Sequence, residues 1–343
     1  MPRKQVLTVC ADANSSIGAG HAVRSLALAQ EWQRQGGKAL FFGVVEPEWL
    51  KAEIVESGIE LLQNPVEQEL LTPEMFFLKI PILEKGSWIS IDGYGYKAEL
   101  IEPLRSSAFK VLVFDDSGER LSQSADIILN QNLGGEELIY SQADRVLSGL
   151  NYALLRQDIL HYAFSLRAPQ NEDEISILLT LGAGEHTSCM KEVIILLARI
   201  AQRAGKHVRL LLIKGMSSID PDGHLFPSEY LSVEMLKEPS EALSFYNRAD
   251  IAVAAASSTC WELGYIGTPL FLLQTAENQS LVFRNLIEQG KAQVFCEQFL
   301  LEYIAETTFP ADRTSRRFVD GLGADRVVDA MLSTLRQRGG KNA

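Results

Sequence analysis

The chain has 343 residues, 46% of them apolar and 22% charged, with a formal charge of −12. That length fits two domains of ordinary size, and the acidic balance argues against nucleic acid or an anionic membrane surface as the main partner. Four scattered cysteines without a C-x-x-C pair exclude a disulfide scaffold, and five histidines without H-x-x-x-H spacing weaken any metal reading.

Short β-branched runs alternate with longer helical stretches, which predicts α/β layers around parallel sheets. The first strand is predicted at 6–10, followed by a Gly-rich turn at 17–20 and a helix over 21–35 that stops at Gly36-Gly37. A strand at 39–44 and a helix at 49–57 come next, then weaker signals, then strands at 88–91, 111–114 and 127–129. Polar, proline-containing residues 168–174 (APQNEDE) read as a linker. The pattern restarts beyond it with a strand at 175–181, the turn Gly182-Ala183-Gly184, a helix over 187–204 and a strand at 208–213. A strand at 251–254, the turn Ser257-Ser258-Thr259, a helix through Tyr265 and a strand at 269–273 follow. The last helix, over 323–336, carries Val327, Val328, Met331, Leu332 and Leu335 at the spacing of one buried face. Two strand–Gly-turn–helix openings predict two Rossmann-like, doubly wound domains, 1–167 and 168–343, facing an interdomain cleft. No apolar run reaches the ~18 residues of a membrane span, and nothing resembles a signal segment. The expectation is a cytoplasmic, reduced protein without stable membrane insertion.

The turn Gly18-Ala19-Gly20-His21 lets backbone approach a ligand and aims a helix N-terminus at it. It is not a dinucleotide fingerprint: Val23 occupies the third small position, and the second strand ends in Phe42-Gly43-Val44 without the usual acidic ribose partner. His21, beside the positive end of the helix dipole, suits a neutral general base for water; a packing or capping histidine is the alternative. Arg24 lies one turn on, near the same face, and could position His21, touch substrate or be solvated. Ser257, Ser258 and Thr259 offer N–H and hydroxyl donors to phosphate oxygens, and Glu262, a turn later, could accept from ribose hydroxyls. The competing reading of the same residues is a capping box. The cluster Gln274 to Gln279, with Asn278 in it, suits sugar hydroxyl and acetamido groups, or is simply a polar loop. Asp92-Gly93-Tyr94 and Asp115-Asp116 each follow a buried strand. Adjacent aspartates on a strand end point to opposite sides, a poor metal pair, so no metal and no cofactor is expected. Gly182 and Gly184 carry no nearby Lys or Arg, so a diphosphate there would be held by helix dipoles and N–H groups.

Taken in order, ADANSSIGAGHAVRSLALA, IDGYGYKAE, VFDDSGER, ADIILNQNL, LSGLNYALLR, ILLTLGAGE, AAASSTCWELGYIGTPLFLLQTAENQ and DGLGADRV cover nearly the whole chain. This series resembles the UDP-2,4-diacetamido-2,4,6-trideoxy-β-L-altropyranose hydrolases of pseudaminic acid biosynthesis and the related spore-coat-type polysaccharide proteins. The resemblance implies a GT-B fold, with UDP mostly on the second domain and the sugar between the two. It implies that His21, in the G-x-G-H motif, and Asn278, in the A-E-N-Q motif, are the catalytic residues. Gln279 stands beside Asn278, Glu262 matches the ribose-binding carboxylate of related transferases, and Tyr94 belongs to the segment lining the sugar side. The sequence departs from the family at Gly182-Ala183-Gly184-Glu185, where G-G-S-D is usual, at Arg156-Gln157-Asp158-Ile159, where R-P-E-F is usual, and at Ser117-Gly118. The expected activity is metal-independent, inverting hydrolysis of a UDP-activated amino sugar, with His21 taking the proton of the attacking water. Gly18, Gly20, Arg24, Asp92, Tyr94, Gly182, Gly184, Ser257, Ser258, Thr259, Glu262 and Gln279 are expected to contact the substrate. The alternatives are a GT-B glycosyltransferase using a UDP-sugar, for which 75–81 (MFFLKIP) is a candidate lipid-facing patch, and a catalytically silent nucleotide-sugar-binding protein.

Overall fold

The structure is a computed structural model and describes residues 5–14, 17–64, 71–80, 86–118, 125–140, 143–162, 174–182, 186–215, 229–236, 241–307 and 312–339. Gly184, residues 168–173 of the expected linker, Pro81 and the side chain of Leu335 lie outside the described parts.

Contacts divide the chain into two units, Met1–Gln157 with Gly321–Ala343, and Asp158–Asp320. The first is built on β1 (Val6–Ala11), β2 (Lys38–Gly43), β3 (Glu60–Gln63), β4 (Trp88–Asp92), β5 (Lys110–Phe114), β6 (Ala125–Asn130) and β7 (Ala143–Ser148). They form one seven-stranded sheet in the order β3-β2-β1-β4-β5-β6-β7, every pair parallel. Parallel strands covered on both faces read as continuous apolar runs, and VLTVCA, WISID and KVLVF are that. Alternate residues serve opposite faces. Leu7, Val9, Phe41, Trp88, Leu112 and Phe114 pack with α1 (Gly20–Arg34), α2 (Glu48–Glu56) and α11 (Gly323–Gly339). Cys10, Phe42, Ile89, Ile91, Val111 and Val113 pack with α3 (Pro73–Lys79) and α4 (Ala98–Ser106).

The second unit carries β8 (Glu174–Thr180), β9 (His207–Ile213), β10 (Leu231–Met235), β11 (Ile251–Ala255), β12 (Leu270–Leu273) and β13 (Gln293–Val294). They form a six-stranded sheet, β10-β9-β8-β11-β12-β13, again all parallel. The helix α6 (Thr187–Ala204) buries Met190, Val193, Ile194, Leu197, Ile200 and Ala201, one stripe at helical spacing. It ends at Gly205, whose φ of 64° is the left-handed stop expected there. The helices α7 (Ala242–Arg248), α8 (Thr259–Ile266), α9 (Ser280–Glu288) and α10 (Glu297–Glu306) complete this unit, and the short α5 (Gln157–Tyr162) begins it.

Two features differ from the sequence reading. The last helix joins the first core, because Ala324, Val327, Val328 and Met331 pack with Leu26, Trp32 and Leu154; an apolar stripe does not specify which core receives it. The weaker signals before residue 88 contain β3 and α3, and α4 and β7 went unread between predicted strands; β3 and β7 carry exposed polar residues and lack an apolar run. In the MFFLKIP segment, α3 buries Phe76 and leaves Leu78 exposed. No helix among the described residues is long and apolar enough to cross a membrane.

Candidate active site

Open α/β sheets bind ligands beyond the carboxyl ends of their strands, where the strand order reverses. That point lies between β1 and β4 in the first sheet and between β8 and β11 in the second. The turns singled out in the sequence follow β1, β4, β8 and β11.

In the first unit, Gly18 has a φ of 75°, which a side chain would strain. The helix α1 begins two residues later, with Ala19 as an N-cap that makes no side-chain hydrogen bond and with no acidic residue in the first turn. His21, Arg24 and Ser25 stand at i, i+3 and i+4, hence on one helical face. All three meet Asp92, the last residue of β4. Strand parity explains the meeting: Asp92 shares its sheet face with Trp88, which packs in the α1 core. His21 Nδ1 lies 2.7 Å from Asp92 Oδ1. Arg24 donates from Nε to Asp92 Oδ2 at 2.6 Å and from Nη2 to Oδ1 at 2.7 Å, and Ser25 Oγ donates to Oδ2 at 3.3 Å. A carboxylate only accepts, so in the neutral ring this contact selects the tautomer with the proton on Nδ1 and leaves Nε2 as the acceptor. The 3.2 Å approach of Arg24 Nη2 to His21 Nδ1 is then a meeting of two donors, not a hydrogen bond.

The same guanidinium bridges to Asp116, from Nη1 to Oδ1 at 2.9 Å and from Nη2 to Oδ2 at 2.8 Å. It stands 4.6 Å from the ring centroid of Phe114. Asn132 Nδ2 donates to Asp116 Oδ1 at 2.8 Å, and the Tyr94 hydroxyl donates to Oδ2 at 3.4 Å. The Tyr94 ring meets His21 edge-on, with centroids 5.1 Å apart. Asp115, of opposite parity, instead accepts from the N–H groups of Ser117 and Gly118 in its own turn.

The electrostatics follow from this packing. Burial by itself would raise the Asp92 carboxyl, but Arg24 and then His21 outweigh it and hold it well below the usual carboxylate range. Burial opposes the Arg24 charge, and Asp116 and Asp92 together more than restore it. Partial desolvation and the Asp116 charge push the Tyr94 hydroxyl up to about 12. Burial pushes the Cys260 thiol up to about 12 as well and raises that of Cys10, so neither is an activated nucleophile.

The structure thus brings His21, Arg24, Asp92 and Tyr94 together. Asp92 and Arg24, expected among the substrate contacts, are buried and bonded to each other, so they form the wall that holds His21. Arg24 is not a solvated surface arginine. Asp116 and Asn132 were missed as site residues. The signal for Asp116 was legible: it has the parity of Phe114 at a strand end, as Asp92 has that of Trp88.

In the second unit, Gly182 lies two residues beyond β8 with a φ of 88°, and among the described residues nothing comes within 4 Å of where its Cβ would sit. Ser257 to Thr259 follow β11 and start α8. Ser258 is the N-cap, yet its side chain makes no capping bond. The hydroxyls of Ser257, Ser258 and Thr259 are half-buried and have no hydrogen-bond partner among the described residues. The capping box is therefore absent. Glu262 lies one turn on, half-buried. In the 3-10 turn Glu277–Gln279, Gln279 Oε1 accepts from Thr275 N at 2.9 Å, so its side chain shapes the turn. Asn278 is exposed, and its side chain makes no hydrogen bond among the described residues.

No family model matches the chain. An uncharacterized protein of Methanocaldococcus jannaschii is 20% identical over 281 residues, which are 80% of this chain and 56% of that protein. The chain thus spans little more than half the length of that curated relative. Among solved structures it is similar to CalG4, the calicheamicin glycosyltransferase, with a TM-score of 0.65, 14% identity, and 98% and 99% of the two chains covered. MurG of Acinetobacter baumannii gives 0.60 at 14% identity, covering 96% of this chain and all of the other. S. aureus MnaA, solved with UDP, gives 0.63 at 12% identity, covering 97% of each. The chain adopts the GT-B fold. Within this GT-B chain, the two turn clusters stand at equivalent places, each at the order reversal of its own sheet. They are chemically distinct: the first holds a histidine on a buried carboxylate, the second a set of hydroxyls without hydrogen-bond partners among the described residues.

Proposed function

We propose that the chain cleaves the anomeric C–O bond of a UDP-activated amino sugar, with His21 as the base that deprotonates the acceptor hydroxyl. The observation that carries this is the 2.7 Å contact of His21 Nδ1 with Asp92 at the carboxyl end of the first sheet. It fixes one tautomer and orients the ring, the role of the carboxylate in other histidine bases. Nε2 takes the acceptor proton, the acceptor oxygen attacks the anomeric carbon with inversion, and UDP departs with the electron pair of the broken bond. The leaving diphosphate is assigned to Gly182, Gly184 and the N-terminal turn of α8, through Ser257, Ser258 and Thr259. Ribose is assigned to Glu262, and the sugar to Asn278 and Tyr94.

The names of the solved neighbours, glycosyltransferases among them, favour transfer to an alcohol acceptor. The run of motifs in the sequence favours water as a second reading. Incubation with a panel of UDP-amino sugars, with and without alcohol acceptors, separates the two: release of UDP and free sugar without acceptor means hydrolysis, and release only with acceptor means transfer. The reaction is expected to survive EDTA; sensitivity to the chelator would overturn the metal-independent mechanism. Loss of a general base typically costs ~10²–10⁴-fold, so His21→Ala is expected to lower kcat by that order while UDP affinity holds. Near-normal turnover of His21→Ala would remove the base assignment, and UDP binding without release from any sugar would leave only a binding protein.

A further inference from the structure

No lysine or arginine stands near Gly182 in the sequence, but the second sheet brings one beside it. The carboxyl ends of β9, β8 and β11 align, with Ile213 paired to Thr180 and Thr180 to Ala254. Lys214 is the next residue after β9, and Gly215, with a φ of 57°, turns the chain directly after it. Continuing that register places Lys214 beside residue 181, one position before Gly182, and places Ser257 to Thr259 on the opposite flank. Neighbouring strands lie ~4.8 Å apart, a gap that the four-carbon stem of a lysine spans. Lys214 also keeps the parity of Leu210 and Leu212, which pack with α6, the helix that follows the Gly182 turn.

Other cations of this sheet have acidic partners. Arg209, on the same strand, pairs with Glu174 at 2.8 Å, and Arg248 pairs with Glu234 of β10. Lys214 is half-buried and makes no ion pair or hydrogen bond among the described residues. Its neighbours at this edge share that character. Thr180 is 4% exposed, and its hydroxyl has no hydrogen-bond partner among the described residues; the same holds for Ser257, Ser258 and Thr259. These are donors gathered without an acceptor, around a glycine with room beside it. A helix N-terminus offers about half a positive charge, and a lysine adds a whole one. The proposed metal-independent cleavage leaves the charge of the departing diphosphate to the protein, where such donors act most strongly. We propose that Lys214 binds the diphosphate of the nucleotide as a point charge, from the β9 side and opposite the hydroxyls at the start of α8. The proposal rests on the nucleotide reading of the second unit given above and adds the cation that this reading lacked.

The test is calorimetric titration of the full chain with UDP and with uridine, comparing the unsubstituted protein with Lys214→Gln, Lys214→Arg and Lys206→Gln. Lys206 is the control: it is also half-buried and without a side-chain partner among the described residues, but it precedes β9 at the opposite end of the sheet. Lys214→Gln is expected to weaken UDP binding about tenfold, the scale of one hydrogen bond to a charged group, and to leave uridine affinity unchanged. Added NaCl should weaken UDP binding less in Lys214→Gln than in the unsubstituted protein, because one screened attraction is gone. Lys214→Arg keeps most of the UDP affinity, and Lys206→Gln keeps all of it. Unchanged UDP affinity in folded Lys214→Gln would overturn the proposal. So would an equal loss for UDP and uridine, which would put Lys214 on the base or the ribose. If Lys214→Gln does not fold, Lys214→Met, which keeps an apolar stem, decides by the same comparison. Failure of the unsubstituted protein to bind UDP would end the nucleotide reading itself and this proposal with it, whereas UDP binding indifferent to Lys214 ends this proposal alone.

Discussion

Asp92 is fully buried, and its charge is offset by Arg24, with His21 Nδ1 at hydrogen-bond distance. Removing one partner of a buried ion pair leaves the other charge uncompensated, typically ~3–5 kcal/mol. Arg24 keeps Asp116, so Asp92→Asn is expected to lower unfolding stability toward the smaller end, about 3 kcal/mol, measured by urea titration at neutral pH. The sign of the pH dependence follows from the depressed carboxyl. Its stabilisation is complete above the ordinary carboxylate value and is lost as pH falls from about 4 toward the lowered value. Acidification through that window should therefore lower the urea midpoint of the unsubstituted protein more than that of Asp92→Asn. Equal losses in the two proteins would show that Asp92 is not so depressed. His21 as a candidate base was legible because its place at a helix start is a matter of local sequence. Its carboxylate partner was legible only as a strand-end residue, because 71 positions separate the two.

The helix α8 separates two meanings of one local pattern. Serine before a helix with a carboxylate a turn later reads equally as a cap and as a ligand cradle. The side chain of Ser258 makes no capping bond, so Ser258→Ala should spare the ~1 kcal/mol that loss of a true N-cap costs. The same substitution removes a donor from the proposed phosphate position and is expected to weaken UDP binding about tenfold, the scale of one hydrogen bond to a charged group. Thermal melting and calorimetric titration of UDP give the two readouts. A fall in melting temperature with unchanged UDP affinity would restore the capping reading. At this scale most elements were readable where they were buried on both sides, since β1, β4, β5, β8 and β11 are apolar runs. The edge strands β3, β7 and β10 expose polar residues. No run of apolar residues marked them.

The chain leaves the first unit after Gln157 and returns to it at Gly321. Gly323, the first residue of α11, sits so close that a Cβ would lie 2.1 Å from the Ala153 carbonyl oxygen, and Met331 is fully buried in the α1 core. Met331→Ala should cost ~2–5 kcal/mol, the range for truncating a buried methionine. Hydrogen exchange should then show the loss in β1, β4 and α1 and leave β8, β9 and α6 at their original protection. Loss of protection in the second unit instead would place the helix there. The sequence by itself determined two doubly wound halves, the turns that open them and the histidine at the first helix, because apolar runs, helical spacing and glycine turns are local properties. Only the tertiary structure decided which core receives α11, that Arg24 is buried, and that Asp92 and Asp116 share it. Those facts depend on strand order and sheet face, which bring into hydrogen-bond contact residues that no local pattern connects.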